Sequence, residues 1–151
     1  MNRAIIASPV GNVEISCADR AVVSILETHA DVTTEITDEF LLSVVRQLHE
    51  YFDGRRTGFS FAVSPNGTEF QKMVWTEVSL TPYGCLRSYG DIAASIGKGS
   101  AVRAVAGAIG RNPLLFVIPC HRVIGCDGLG GFRLGIDAKL ALINLEKREH
   151  C

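Results

Sequence analysis

The first third of the chain alternates apolar and polar residues in short runs, the pattern of half-buried strands. Two such runs lie within residues 4–19, on either side of a turn at residues 8–12, and residues 21–27 form a third. A shorter alternating run within residues 55–64 predicts one further strand before a turn at residues 65–67. These patterns predict a small sheet near the N-terminus.

A helix is predicted between the third and the fourth of these strands. Asp38 is a suitable N-cap for it, and Gly54 is a suitable end. Its apolar residues recur every three or four positions: Phe40, Val44, Val45, Leu48 and Phe52. We therefore expect the sheet and this helix to form one small unit.

The C-terminal portion is predicted to be mainly helical. Helical spacing recurs in four segments: residues 68–81, 88–97, 101–112 and 137–149. The expected N-caps of the first three are Thr68, Ser88 and Ser100. An apolar run at residues 113–118 is expected to be buried and extended as far as Pro119. Five glycines in residues 125–135 indicate a loop.

Residues 88–97 and 101–112, joined by a short connection with Gly99, have the outline of a helix-turn-helix. The fold class is therefore α+β, and the turn at residues 65–67 divides a domain at 1–66 from a domain at 67–151. The string "AVRAVAGAIG" in the second helix has small residues and one arginine, Arg103. Recognition helices usually carry several long polar side chains, so small residues would instead allow close backbone approach to a nucleic acid. A tightly packed core helix with a surface arginine fits the same string.

The composition is typical of a globular protein, and the charge distribution is compatible with a polyanionic partner. The chain is 47% hydrophobic and 21% charged. Residues 1–66 have 5 Lys and Arg against 9 Asp and Glu, whereas residues 67–151 have 10 against 7. A mildly basic C-terminal portion is compatible with nucleic acid, although ordinary surface charge explains it equally well. We see no signal peptide and no apolar run of ~20 residues, so we expect no membrane contact and a cytoplasmic protein.

The five cysteines form no C-x-x-C pair, and their number is odd. Without a secretion signal, reduced thiols are expected rather than a disulfide framework. Cys120, His121 and Cys126 cluster closely but lack a fourth partner, so structural zinc is not expected.

The stretch "FVIPCHRVIG" leaves three roles open for Cys120: nucleophile, metal ligand, or small apolar residue at the end of a core run. Pro119 breaks the run and brings the cysteine toward the surface of the core. If "CHRV" begins a helical turn, its free N–H groups favour the thiolate, and His121 and Arg122 add basic character. A third group should orient the histidine, and Glu146 is the candidate. These features favour a nucleophile without naming its reaction.

Several strings together resemble the O6-alkylguanine-DNA alkyltransferases: "GTEFQKMVW", "SYGDIAASIG", "VRAVAGAIGRNPLLFVIPCHRVIG" and "GLGGF". The resemblance covers about residues 67–148, and "SPVGNVEIS" is similar to that family's N-terminal domain. It implies a small RNase H-like α/β domain followed by a mainly helical winged helix-turn-helix-type domain. It also implies irreversible alkyl transfer from O6 of guanine, and from O4 of thymine, without a metal or cofactor.

The resemblance implies a role for each matching residue. Cys120 would accept the alkyl group. His121 would take the thiol proton through a water, Glu146 would hold the imidazole, and Asn112 would support the turn that carries the cysteine. Each molecule would act once, as a monomer, on double-stranded DNA containing O6-alkylguanine.

The same resemblance implies how DNA would be bound. The damaged nucleotide would be flipped out of the duplex, because its reactive atom is otherwise out of reach. Arg103 would fill the space, helix 101–110 would bind the minor groove, and Tyr89 would press on the phosphate and donate to the guanine ring. The remaining expected DNA contacts are Gly90 and Ser100. The expected substrate pocket consists of Tyr89, Val123, Gly131, Phe132 and Arg133, with the Val123 carbonyl and the Arg133 N–H facing the base.

Phe132 departs from the family, which usually has tyrosine at the end of the glycine-rich loop. The ring can still form a wall, but the missing hydroxyl puts the rate or the alkyl-group preference in question. Arg87 also replaces a commoner small residue. The rival hypotheses are a non-catalytic relative that senses alkylated bases and a Cys–His hydrolase. The first lacks the cysteine that is present here, and nothing in the sequence indicates an acyl substrate for the second.

Overall fold

A computed structural model describes residues 2–147 of the chain. It begins with an antiparallel sheet of β1 (Asn2–Ile6), β2 (Val13–Ala18) and β3 (Ala21–Glu27), in that order. Asp19 and Arg20 have positive φ and form the two-residue connection between β2 and β3, the geometry that suits strand twist. The three strands predicted at the N-terminus are confirmed.

Helix α1 (Glu39–Phe52) packs beside the sheet. The Asp38 carboxylate accepts a hydrogen bond from the Leu41 N–H at 2.8 Å, which satisfies one of the free donors at the helix start. After α1 ends, Gly54 has a φ of +75°, a conformation that glycine adopts without steric cost. The predicted helix and both of its boundaries are confirmed. Tyr51, which the spacing did not single out, is completely buried.

The strand predicted within residues 55–64 is wrong. The segment makes only an isolated bridge, between Val63 and Val22 of β3. The buried side chain of Gln47 on α1 explains the irregular path, because it binds the Ser60 backbone N–H and hydroxyl at 2.9 Å each. At Ser60 these side-chain contacts take the place of strand pairing, whereas Ala62 and Ser64 bond to Val22 through their backbones.

The C-terminal portion is mainly helical, as predicted. Its elements are α2 (Glu69–Ser79), β4 (Arg87–Ser88), α3 (Tyr89–Ser95), α4 (Val102–Gly110), a 3-10 turn (Cys120–Arg122), β5 (Val123–Ile124) and α5 (Ile136–Leu145). Thr68 and Ser88 begin α2 and α3 with reciprocal capping boxes. The N-cap predicted at Ser100 is wrong, because Ala101 is the N-cap and makes no side-chain bond. The Ala101 N–H donates to the Lys98 carbonyl in a turn, so α4 begins one residue later than predicted.

Residues 113–118 are buried but not extended, so that prediction is half wrong. Leu114 bridges to Ile25 of β3, and the chain then turns at Phe116, whose φ is +71°. The side chain of Asn112 stabilises this turn. Its oxygen accepts a hydrogen bond from the Leu114 N–H, and its nitrogen donates one to the Ile118 carbonyl, each at 2.8 Å. The same bridge joins the C-terminal portion to the N-terminal sheet.

Helix α5 ends earlier than the sequence predicted, with Glu146 as its C-cap; the predicted continuation to residue 149 runs into residues that lie outside the described range. Its inward face carries Lys139 and Leu142, whereas Leu140 is exposed. None of the helices between residues 2 and 147 is long and apolar enough to cross a membrane.

Candidate active site

A cavity of about 350 Å³ lies between α4 and the glycine-rich loop. It brings together six of the residues singled out from the sequence: Tyr89, Asn112, Cys120, Gly131, Phe132 and Arg133. The cavity is mostly apolar in its lining, with few polar groups, which is typical of a site for a small organic group.

Cys120 begins the 3-10 turn and is held by the residues around it. Its backbone N–H donates to the Ile118 carbonyl at 2.7 Å. The Asn112 amide nitrogen, which also binds that carbonyl, lies 3.1 Å from Cys120 Sγ. One buried amide therefore orients both the turn and the thiol.

Burial raises the pKa of the Cys120 thiol, and this effect outweighs the lowering by the Asn112 hydrogen bond and by the charges of Lys139 and Arg133. The low-pKa thiolate expected from the sequence is therefore wrong for the free protein. A helical turn of three residues and a neighbouring arginine do not offset the loss of solvation. The thiol must lose its proton to a neighbouring base before it can act as a nucleophile.

His121 and Glu146 form a completely buried pair behind the cysteine. His121 Nε2 lies 2.7 Å from Glu146 Oε2. Because an ionised carboxylate only accepts, Nε2 carries the proton and Nδ1 keeps its lone pair. Among residues 2–147, Nδ1 has no hydrogen-bond partner. Burial lowers the pKa of His121 despite the opposing effect of Glu146, so the imidazole is neutral and able to accept a proton.

Arg122 holds the Glu146 carboxylate from its other side. The Arg122 Nε–H donates to Oε1 at 2.7 Å and its Nη2 to Oε2 at 2.9 Å, while Nη1 donates to the Thr81 carbonyl at 2.7 Å. Burial alone would raise the pKa of Glu146, but the hydrogen bonds from His121 and Arg122 lower it below its usual range. The Arg122 charge is thus paired with Glu146, and it does not supply the basic character at Cys120 that the sequence indicated.

Two buried residues in the site were missed by sequence reasoning. The Tyr51 hydroxyl, on α1, donates to Glu146 Oε2. The Lys139 ammonium, on α5, donates to the carbonyls of Val123, Leu129 and Gly131 at 2.6, 2.5 and 3.0 Å. Burial lowers the pKa of Lys139 to about 8. The spacing of Lys139, Leu142 and Glu146 places them on one helix face, which is the signal that could have identified the lysine.

Tyr89 forms one wall of the cavity together with the glycine-rich loop. Its hydroxyl donates to the Gly131 carbonyl at 3.3 Å. Gly130 has a φ of +72°, and a Cβ there would lie 2.7 Å from the Tyr89 ring. Only glycine allows the loop to pass this close to the tyrosine. Phe132 is half-buried and is one of the residues that line the cavity.

The other predicted residues lie outside the cavity lining. Val123 is buried in β5, and its carbonyl accepts from Lys139. Gly90, Ser100 and Arg103 are exposed. Arg103 shares the exposed face of α4 with Gly107, where a Cβ would meet nothing within 4 Å. Residues 2–147 contain no group of three His, Cys, Asp or Glu side chains that could hold a metal ion.

Comparison with known proteins places these observations in a family. Residues 1–65 match the ribonuclease-like domain of 6-O-methylguanine DNA methyltransferase, and residues 69–148 match its DNA binding domain. A methylated-DNA–protein-cysteine methyltransferase of Methanosarcina acetivorans is 39% identical over 153 residues, 97% of this chain and 98% of that protein. A protein of the same name from Methanosarcina barkeri is 48% identical over 110 residues, 72% of this chain and 70% of that protein.

A solved structure has the same fold along nearly the whole chain. The crystal structure of Mycobacterium tuberculosis OGT in complex with DNA matches with a TM-score of 0.85 and 39% identity, over 95% of this chain and 91% of that one. The α+β fold class and the resemblance stated from the sequence are confirmed. The chain belongs to the 6-O-methylguanine DNA methyltransferase family.

Proposed function

We propose that this protein repairs DNA by moving a methyl or larger alkyl group from O6 of guanine, and from O4 of thymine, to Cys120. The observation that carries the proposal is the position of the thiol at the cavity, in front of a buried neutral histidine that Glu146 orients. Membership of the family and the names of the relatives support the same reaction.

The transfer is a displacement at the alkyl carbon. The Sγ–carbon bond forms as the carbon–O6 bond breaks, and the electron pair of that bond stays on the guanine. The thiol proton passes through a water to Nδ1 of His121, whose imidazolium the Glu146 carboxylate stabilises. The thioether that results is stable, and no residue of the site regenerates the thiol, so each molecule acts once.

The DNA is bound from the minor groove by α4, and the damaged nucleotide is flipped into the cavity. The exposed face of α4 has small residues, which let its backbone approach the duplex, and Arg103 occupies the space that the nucleotide leaves. Tyr89, Gly90 and Ser100 contact the backbone of the DNA. This binding needs no base sequence, which suits a repair protein.

Inside the cavity, Phe132 and Gly131 form walls for the base, and the Tyr89 hydroxyl exchanges its bond to Gly131 for one to the guanine ring. The Arg133 N–H faces O6. The Val123 carbonyl, which the sequence assigned to the guanine amino group, already accepts from Lys139 and lies outside the cavity lining, so we do not place it against the base. The protein acts as a cytoplasmic monomer with domains at residues 1–66 and 67–151. The family matches, which fall on either side of residue 66, support this division.

A mass measurement tests the central step. Incubation with duplex DNA containing O6-methylguanine should add one methyl group per protein molecule, on the peptide that contains Cys120. Cys120→Ser should abolish transfer and keep DNA binding, because the hydroxyl is a far weaker nucleophile at the same position. Repeated turnovers, or a methyl group on Cys17 or Cys126, would contradict the proposal.

The role of Arg103 is tested by comparing two substrates. Arg103→Ala should slow transfer from duplex DNA by at least ~10-fold, since the flipped state loses its support, and leave the reaction with free O6-benzylguanine unchanged. Arg46→Ala removes an exposed arginine on α1 and is the matched control. Equal losses with both substrates would show that Arg103 does not act in flipping.

A further inference from the structure

Tyr51 belongs to the N-terminal sheet-plus-helix unit, but its hydroxyl lies in the active site. The side chain is completely buried. Its ring packs against four other aromatic rings, with centroid distances of 5.4 to 6.2 Å: those of Phe52, Phe59, Tyr83 and Phe116. A phenylalanine would fill this space equally well, so packing does not account for the hydroxyl.

The hydroxyl donates to Glu146 Oε2, the same oxygen that lies 2.7 Å from His121 Nε2. Tyr51 Oη is itself 3.4 Å from that nitrogen. Glu146 Oε2 also accepts from Arg122 Nη2 at 2.9 Å. Three donors therefore converge on one carboxylate oxygen, and one of them comes from a residue 95 positions earlier in the chain.

We propose that Tyr51 is a positioning residue that sets the orientation and the basicity of His121 through Glu146. The N-terminal domain thereby takes part in the chemistry of Cys120 in addition to supporting the fold. This inference rests on the proposed function, because it concerns the base of that reaction.

The direction of the effect follows from the hydrogen bonds. A donor on Glu146 Oε2 withdraws negative charge from the carboxylate, so the carboxylate stabilises the His121 imidazolium less. Without the Tyr51 hydroxyl, the carboxylate attracts the imidazole proton more strongly, and the pKa of His121 rises. Since transfer needs neutral His121, the acid side of the rate profile moves to higher pH.

Other groups near the pair bear on the same equilibrium. Within residues 2–147, the titratable and charged side chains around His121 and Glu146 are Tyr51 on α1, Tyr83 after α2, Cys120 and Arg122 in the 3-10 turn, and Lys139 on α5. Tyr51→Phe leaves all of these in place and removes only one oxygen. The resulting change in the pH profile can therefore be assigned to that hydroxyl.

The experiment measures the single-turnover rate of transfer from free O6-benzylguanine between pH 4.5 and 8.5. For Tyr51→Phe we expect the acid midpoint to rise by roughly half to one pH unit. A whole hydrogen bond to a charged group corresponds to about one to two pH units, and only part of that difference reaches His121 through Glu146. The control is Phe59→Leu, which disturbs the packing of the Tyr51 ring and keeps its hydroxyl. It should lower the thermal midpoint and leave the pH midpoint where it is in the unmodified protein.

A second variant keeps the test decisive if Tyr51→Phe folds poorly. Site-specific 3-fluorotyrosine at position 51 has the same shape and a stronger O–H donor, so the acid midpoint should move to lower pH. Midpoints that do not move in either variant, while the unmodified protein transfers normally, would overturn the role of Tyr51 alone. An unmodified protein that transfers nothing would overturn the proposed function.

Discussion

Replacing Glu146 by glutamine removes one charge from the centre of the site and keeps the shape of the side chain. The carboxylate is 2% exposed and the Arg122 side chain 9%, so the substitution leaves the arginine buried and unpaired. Removing one partner of a buried ion pair costs about 3–5 kcal/mol, a large part of the ~5–15 kcal/mol that holds a domain folded. The glutamine can still accept from His121 Nε2, but it does not stabilise the imidazolium.

Two measurements follow from Glu146→Gln. In urea, a loss of ~4 kcal/mol at a slope of ~2 kcal/mol per molar lowers the unfolding midpoint by ~2 M. The single-turnover transfer rate should fall by at least ~10²-fold at neutral pH. Without the carboxylate to stabilise its imidazolium, His121 is a much poorer acceptor for the thiol proton. Binding of duplex DNA should be unchanged, because Glu146 lies behind the cavity.

The control is Glu77→Gln, which makes the same chemical change in a pair with Arg87 whose side chains are 19% and 22% exposed and therefore remain partly solvated. A pair of this kind contributes about 0–1 kcal/mol, so the unfolding midpoint should shift little. The reasoning is refuted if Glu146→Gln transfers within about threefold of the unmodified rate, or if it is no less stable than Glu77→Gln.

Acid adds an independent check on Glu146. Its pKa is lowered in the folded protein, so it binds fewer protons there than in the unfolded chain at moderately acid pH. Its contribution to stability is therefore complete above its ordinary value of about 4.5 and is lost as the pH falls below it. The difference in unfolding free energy between the unmodified protein and Glu146→Gln should shrink between pH 5 and pH 2.

Two further substitutions test other parts of the site. The pKa of Lys139 is lowered to about 8 in the folded protein, so between pH 8 and 10 the unfolded chain binds more protons than the folded one. The free energy of unfolding in urea should therefore rise over this range. Lys139→Met should remove that rise. Gly130→Ala would place a Cβ 2.7 Å from the Tyr89 ring at a φ of +72°, and should slow transfer from O6-benzylguanine by ~10-fold or more. Gly128→Ala, where a Cβ meets nothing within 4 Å, should transfer normally, and a Gly130→Ala rate equal to it would contradict the role of this close approach.

Local features of the fold were predictable because they depend on residues a few positions apart. The capping boxes at Thr68 and Ser88 and the N-cap at Asp38 connect side chains to backbone groups within the same turn. Two failures involve contacts that are distant in the chain. The strand expected at residues 55–64 is displaced by Gln47, 13 positions away from Ser60. The run at 113–118 pairs with Ile25 of β3 only at Leu114 and then turns, with Asn112 bound to the Leu114 N–H and the Ile118 carbonyl.

The sequence by itself determined the family and the α+β class, because "PCHRV" and its surrounding strings are specific, and it indicated the residues that we propose for the reaction. Only the tertiary structure decided how those residues behave. Burial raises the pKa of the Cys120 thiol, Arg122 is paired because α5 brings Glu146 to it, and Tyr51 reaches that carboxylate from α1. Solvation and charge are set by what lies within a few ångströms in space. Neighbours in the chain do not reveal which residues those are.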